Sequence, residues 1–284
     1  MTDVLLGAVA YDPKVVTIWD GFKSWLRAAG LDFDYVLYSQ YERQVEELVD
    51  GRIDVAWNSP LAWVRATRLA AHRGVEVSAV AMRDTDRDLT SAIVVRADST
   101  AASLGDLAGA TIGTGAIDSP QSTLLPLQLL RSAGVVPGVD ATVQRFDIGV
   151  GLHGDHVGGE REAAKALRAG IVDAACVLDA NTVQFAREGI WPAGSVRVLA
   201  QTGRFDHCNL TAGPSAETDP LAQFVALLLA MSYDDPQMRP LLDLEGLKQW
   251  LPGRTEGYEP LDAAVDGSGF YDSVGSISDA DYRP

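Results

Sequence analysis

The run Asp118-Ser119-Pro120-Gln121-Ser122-Thr123 is the best place in this chain to hold an anion. Proline suits the first position of a helix, where its missing N–H costs nothing. The N–H groups of Gln121 and Ser122 would then point out of the helix end, joined by neighbouring hydroxyls. Such an end carries roughly half a unit of positive dipole charge and binds anions without any basic side chain. The plainer role of Ser119 is to cap the helix. A second run, His153-Gly154-Asp155-His156-Val157-Gly158-Gly159-Glu160, sets titratable side chains in a Gly-rich loop that opens a helix. Glu160 either favours the dipole of a solvated helix or joins His156 in facing a cleft as a ligand-binding or acid/base group. A metal held by His153, His156 and Glu160 fits no standard spacing, so neither metal nor cofactor is expected. The third run is Phe205-Asp206-His207-Cys208-Asn209. In an extended segment His207 and Cys208 point to opposite faces and cannot pair with each other, though either could work with His156 across a cleft. Free cysteine is most often simply buried, and Cys176 inside the apolar run Val172–Leu178 reads as core.

The elements that must position these groups alternate strand and helix from the first residues, the pattern of an α/β fold with parallel sheet. Val4–Ala10 reads as a strand, and Val15, Ile18, Trp19, Phe22, Trp25, Leu26 and Ala29 trace one helical face that ends at Gly30. Phe33, Tyr35 and Leu37 lie in a second strand. Ser39 with Glu42 offers a capping box for the next helix. Ile53–Trp57 is a third strand, and Ser59-Pro60 caps the helix after it. A second unit begins near Ala92, with strands at Ala92–Val95, Ala110–Gly113, Val143–Phe146, Val172–Leu178 and Val196–Ala200. Near Leu210 the chain returns to the first lobe, and the Gly-, Ser-, Asp- and Pro-rich tail after Gly253 is expected to wrap the surface. This gives two lobes, residues 1–91 with 203–284 and residues 92–202, crossed twice by the chain and separated by a cleft. Tyr11, Tyr41, Asn58, Ser59 and Trp63 fall at strand ends or first helical turns, where open α/β sheets bind ligands. Asp179 and Asn181, just past a strand, are placed for ligand hydrogen bonds, whereas Tyr38 and Trp57 are expected in the core.

At 284 residues, two domains are the natural expectation. The net charge of −16 argues against nucleic acid and against an anionic membrane surface. No apolar run is long enough to span a bilayer, so the chain is not expected to be membrane-embedded. Its two cysteines make no disulfide framework. The N-terminus lacks a basic n-region and cleavage pattern. The chain as written therefore reads as cytoplasmic, or as extracytoplasmic if an export signal has been removed.

Several stretches resemble the phosphate/phosphonate (PhnD-like) solute-binding proteins of ABC transporters. Gly51-Arg52-Ile53-Asp54-Val55-Ala56-Trp57-Asn58-Ser59-Pro60-Leu61-Ala62-Trp63 is similar to one element of that family, and Leu104-Gly105-Asp106-Leu107-Ala108-Gly109 to another. Asp118 through Pro126 occupies the place of its phosphonate-gripping loop. Gly159–Ala164, continuing to Gly170–Ala174, matches a further segment. The resemblance implies a two-lobed type II periplasmic-binding-protein fold, each lobe a mostly parallel sheet flanked by helices. It also implies aromatic closure over the ligand at Tyr41 and Trp63. Two departures stand out: Ser119-Pro120-Gln121 replaces Ser-Thr-Ser, and Glu160 replaces a His, where a carboxylate would repel phosphonate.

Two functions follow. One is a hinged receptor for a small anionic or zwitterionic molecule, phosphonate-like or a carboxylate, with an ABC permease as partner. The other is a cytosolic lyase, dehydratase or decarboxylase on the same fold, acting on a small carboxylate through His156, Glu160, His207 and Cys208.

Overall fold

Apolar residues on one helical face decide where the first helix packs, and the same logic repeats along the chain. The computed structural model describes residues 2–155 and 157–284. β1 (Val4–Val9) leads to α1 (Lys14–Ala28), whose Val15, Ile18, Trp19, Phe22 and Leu26 are buried at helical spacing. β2 (Phe33–Tyr38), α2 (Tyr41–Val49), β3 (Val55–Asn58), α3 (Pro60–Arg73) and β4 (Ser78–Arg83) follow. The chain then crosses over and builds β5 (Ser91–Arg96), β6 (Thr111–Thr114), α4 (Leu125–Ser132), β7 (Thr142–Arg145), α5 (Gly158–Arg168), β8 (Ala174–Leu178), α6 (Asp179–Arg187) and β9 (Val196–Gln201). It returns through β10 (Asn209–Ala212), α7 (Thr218–Leu229), α8 (Arg239–Glu245), β11 (Trp250–Pro252) and α9 (Glu259–Ser268).

These strands make two sheets, in the orders β11-β4-β10-β3-β1-β2 and β7-β6-β8-β5-β9. Each is mixed, which refines the expected mostly parallel sheets. Strands joined by a helical crossover run parallel, as β1 does to β2 and β3, and β6 to β7 and β8. The strands on either side of the two crossings, β10 and β5, run antiparallel to their neighbours because each arrives from the other lobe. The crossings are tied to each other at Leu89 and Phe205, whose backbone groups exchange two hydrogen bonds of 2.8 Å.

Two sequence expectations change here. Ser39 and Glu42 make no capping box: the N-cap of α2 is Gln40, without a side-chain bond. Glu42 turns inward to buried partners instead. The tail does not wrap the surface either. α9 packs against both α3 and α4, and Phe270, Tyr271 and Tyr282 are buried in an apolar cluster with Leu61 and Trp63 from one lobe and Leu124 and Leu125 from the other. Burial of several large rings outweighs the polar turn residues between them.

Candidate binding cleft

A cavity of about 210 Å3 lies between the two sheets. Tyr11, Lys14, Trp57, Arg83, His207 and Cys208 form its wall on the first sheet, and Gln121, Gly154, Asp155, Val157, Leu178 and Asn181 the opposite wall. Tyr11 follows β1, Trp57 belongs to β3, and Leu178 ends β8. Carboxyl ends of parallel strands therefore open into the space, as ligand sites of α/β sheets do. Arg83 ends β4 and lies over the Trp57 ring at 5.0 Å. Its fork grips Asp86 at 2.6 and 2.8 Å and reaches Glu245 Oε1 at 3.3 Å. Burial works against the Asp86 charge, but Arg83 outweighs it and holds the carboxyl at about 2. Glu245 stays dominated by burial, which pushes it up to about 7.

Ser119 caps the turn that Pro120 opens, its Oγ accepting from Ser122 N–H. The polar groups of this anion loop, however, are engaged within the protein. Ser122 Oγ donates to Ser119 Oγ at 2.8 Å, and Thr123 Oγ1 donates to the Ala116 carbonyl at 2.8 Å. Asp118 Oδ2 accepts from the N–H groups of Gly151 (2.6 Å) and His153 (3.2 Å). Gln121 Nε2 donates to the Gly154 carbonyl at 2.8 Å, which leaves Gln121 as the residue of this loop that touches the cavity. Gly154 approaches so closely, at φ 77°, that a Cβ there would lie 2.5 Å from Ser119 Oγ. The Gly-rich loop thus lies against the helix end where an anion was expected.

Behind that loop is a buried polar network joining the lobes. His153 is fully buried at φ 50°, a left-handed backbone that costs a residue with a side chain about 1–2 kcal/mol. Its ring stacks on Tyr41 at 4.7 Å, with Nδ1 2.7 Å from Ser59 Oγ and Nε2 2.9 Å from Glu42 Oε1. The same Glu42 oxygen accepts from Tyr271 (2.8 Å) and Tyr282 (2.6 Å). Burial opposes the Glu42 charge, yet His153 and these hydroxyls hold the carboxyl at about 2. Tyr41 donates to Asp155, whose carboxyl burial pushes upward.

The remaining expected residues divide between sites. Asn58 is spent inside the first sheet, donating to Thr211 and accepting from Gln44. Trp63 packs on Tyr258 with ring centres 5.6 Å apart, away from the cleft cavity, because its face of α3 turns toward the tail. Asn181 lines the cavity and Asp179 does not. His156 lies outside the described residues. Trp57, Lys14 and Arg83 were missed: Trp57 serves core and cleft together, and Arg83 ends a strand that the sequence reading did not recognise. His207 and Cys208 correct a geometric expectation. Residues 206–208 belong to no strand, and His207 Nδ1 stands 3.1 Å from Cys208 Sγ. Burial first, then Asp155 and Asp86, pushes the thiol up, so it is no ready nucleophile. The enzyme reading gains nothing from this arrangement.

Glu160 Oε1 accepts from Leu178 N and Asn181 Nδ2, each at 2.7 Å, just behind the cavity wall. Burial outweighs both bonds and pushes its carboxyl up to about 7. Stability from this group is therefore present below its unfolded value near 4.5 and lost as pH rises through 7. Glu160→Gln is expected to stabilise the protein at pH 8 by up to about 3 kcal/mol, with no gain at pH 4.5. Urea unfolding at both pH values measures this; an equal gain at each would show a carboxyl that does not titrate on folding.

A sequence-family profile described as "ABC transporter, phosphonate, periplasmic substrate-binding protein" matches residues 8–258. The chain belongs to that family. Membership implies a small-molecule ligand and a permease partner, and family members are periplasmic. Among the described residues no helix is long and apolar enough to cross a membrane. No curated protein matches this family member by sequence. Among solved structures it is similar to PhnD1 from Prochlorococcus marinus in complex with methylphosphonate, at 15% identity and TM-score 0.67, covering 94% of this chain and 98% of that one. A Xanthomonas citri protein bound to chloride ion gives 19% identity and TM-score 0.71, over 93% and 97% of the two chains. The periplasmic aliphatic sulphonate binding protein SsuA from Escherichia coli gives 18% and 0.53, over 94% and 83%. These likenesses agree with a type II periplasmic-binding-protein fold.

Proposed function

We propose that this family member closes its two lobes, residues 1–91 with 203–284 and residues 92–202, on a small zwitterion bearing a phosphonate- or sulfonate-like acid, and delivers it to an ABC permease. The observation that carries this reading is the charge division across one cavity. Lys14 and Arg83 stand on one wall, and Asp155 with Gln121 on the other. The acid group faces the basic wall, and an ammonium or other donor group faces Asp155 and Gln121 Oε1, which has no partner among the described residues. A phosphonate-binding and a sulphonate-binding neighbour of the same fold support the acid class.

Thermal shift with methylphosphonate, 2-aminoethylphosphonate, taurine and phosphate tests it. The two amino compounds are expected to stabilise most; a ligand at 100 times its Kd adds about 2.7 kcal/mol. Asp155→Asn is expected to erase their advantage over methylphosphonate. If none of the four raises the melting temperature, the reading is wrong.

A further inference from the structure

We propose that Asp86, His207 and Cys208 form a site for one divalent metal ion of the zinc class, opening onto the interlobe cavity. One carboxylate oxygen of Asp86, one ring nitrogen of His207 and Cys208 Sγ all lie within 4.8 Å of one another. His207 Nδ1 is 3.1 Å from the sulfur and 3.6 Å from the carboxylate oxygen. One ion at roughly 2.0 Å from nitrogen and oxygen and 2.3 Å from sulfur can touch all three. A thiolate, an imidazole and a carboxylate together suit zinc and its softer neighbours, not magnesium or calcium.

Further bonds hold the donors in place. His207 N donates to the Asp86 carbonyl at 2.8 Å, tying the two segments together. The His207 carbonyl accepts from Tyr258 Oη at 2.9 Å. Arg83 donates to both Asp86 oxygens, Nη2 to Oδ1 at 2.8 Å, and orients the carboxylate while each oxygen keeps a second lone pair for a metal.

His207 and Cys208 both line the cavity, so three protein donors leave a fourth position facing it. That position is where an acidic ligand group can complete the coordination, a charge the occupied helix end at Ser119 does not offer. Binding displaces the Cys208 thiol proton: the S–H bond breaks, a metal–sulfur bond forms, and one proton leaves to solvent.

Cobalt(II) alone, added to the metal-stripped full chain, tests the site. Expected are one ion per chain, a thiolate-to-cobalt charge-transfer band, and a calorimetric heat that varies with buffer as one released proton requires. Cys208→Ser should remove the band and weaken cobalt binding by more than about 100-fold, since losing an outer-shell partner alone costs roughly 10–100-fold. Cys176→Ala, at a buried β8 position, should keep both. If Cys208→Ser does not fold, His207→Gln is to show the same loss of affinity. Absence of stoichiometric cobalt uptake, or a band that survives Cys208→Ser, overturns the proposal. Repeating the ligand panel with the chelated protein separates it from the binding function, which stands if ligands still bind without metal.

Discussion

Replacing Glu42 by alanine is expected to destabilise the protein by about 3–5 kcal/mol, because three buried donors lose the carboxylate oxygen they share. Glu42 Oε1 receives His153, Tyr271 and Tyr282, and all four residues are buried. Alanine would leave an imidazole and two hydroxyls without an acceptor in a space closed to water. The effect has a pH signature. The Glu42 carboxyl is held at about 2 in the folded protein against 4.5 in the unfolded chain. Its contribution is therefore complete above about 4.5 and lost as pH falls toward 2, about 3 kcal/mol in all. Urea unfolding of both proteins at pH 7 and pH 3 should show the gap between them shrinking in acid. A gap below 1 kcal/mol at pH 7, on the order of a surface pair, would mean that the network does not join the lobes.

Arg83→Leu is expected to cost a similar 3–5 kcal/mol, for a different reason. The substitution fills most of the volume but strands Asp86 and Glu245, both almost fully buried. It also strips the guanidinium from the Trp57 ring. The loss should be largest at neutral pH and smaller in acid, where Glu245, already raised to about 7, and then Asp86 take up protons. Arg83→Lys should recover little, because a single ammonium cannot make the two parallel bonds to Asp86. Thermal unfolding at pH 7 and pH 5 distinguishes these outcomes. Equal stability of Arg83→Leu and the parent would show that the pair is dispensable.

Local pattern was enough for the first lobe as far as α3. The helical spacing from Val15 to Leu26 and the Ser59-Pro60 cap are short-range signals, and the structure keeps both. What could not be read depends on distant partners. Glu42 matches a capping-box position, but His153 and two tail tyrosines compete for its carboxylate and win. Phe270, Tyr271 and Tyr282 stand among polar turn residues with no helical or strand period, so composition suggested a surface tail. β4 was overlooked because Ser78–Arg83 holds one β-branched residue, Val80, between two alanines of low strand propensity, and Arg83 went with it. The cleft pair His207 and Cys208 was assigned to opposite faces on the assumption of a strand, whereas the segment joins no strand and their side chains meet.

Tyr282 reaches Glu42 across 240 positions of sequence. During synthesis the first lobe's helices emerge long before this ring, so the emerging chain must hold a carboxylate site and an apolar slot open until the last of the rings leaves the ribosome. Such distant closure slows folding and leaves apolar surface exposed meanwhile.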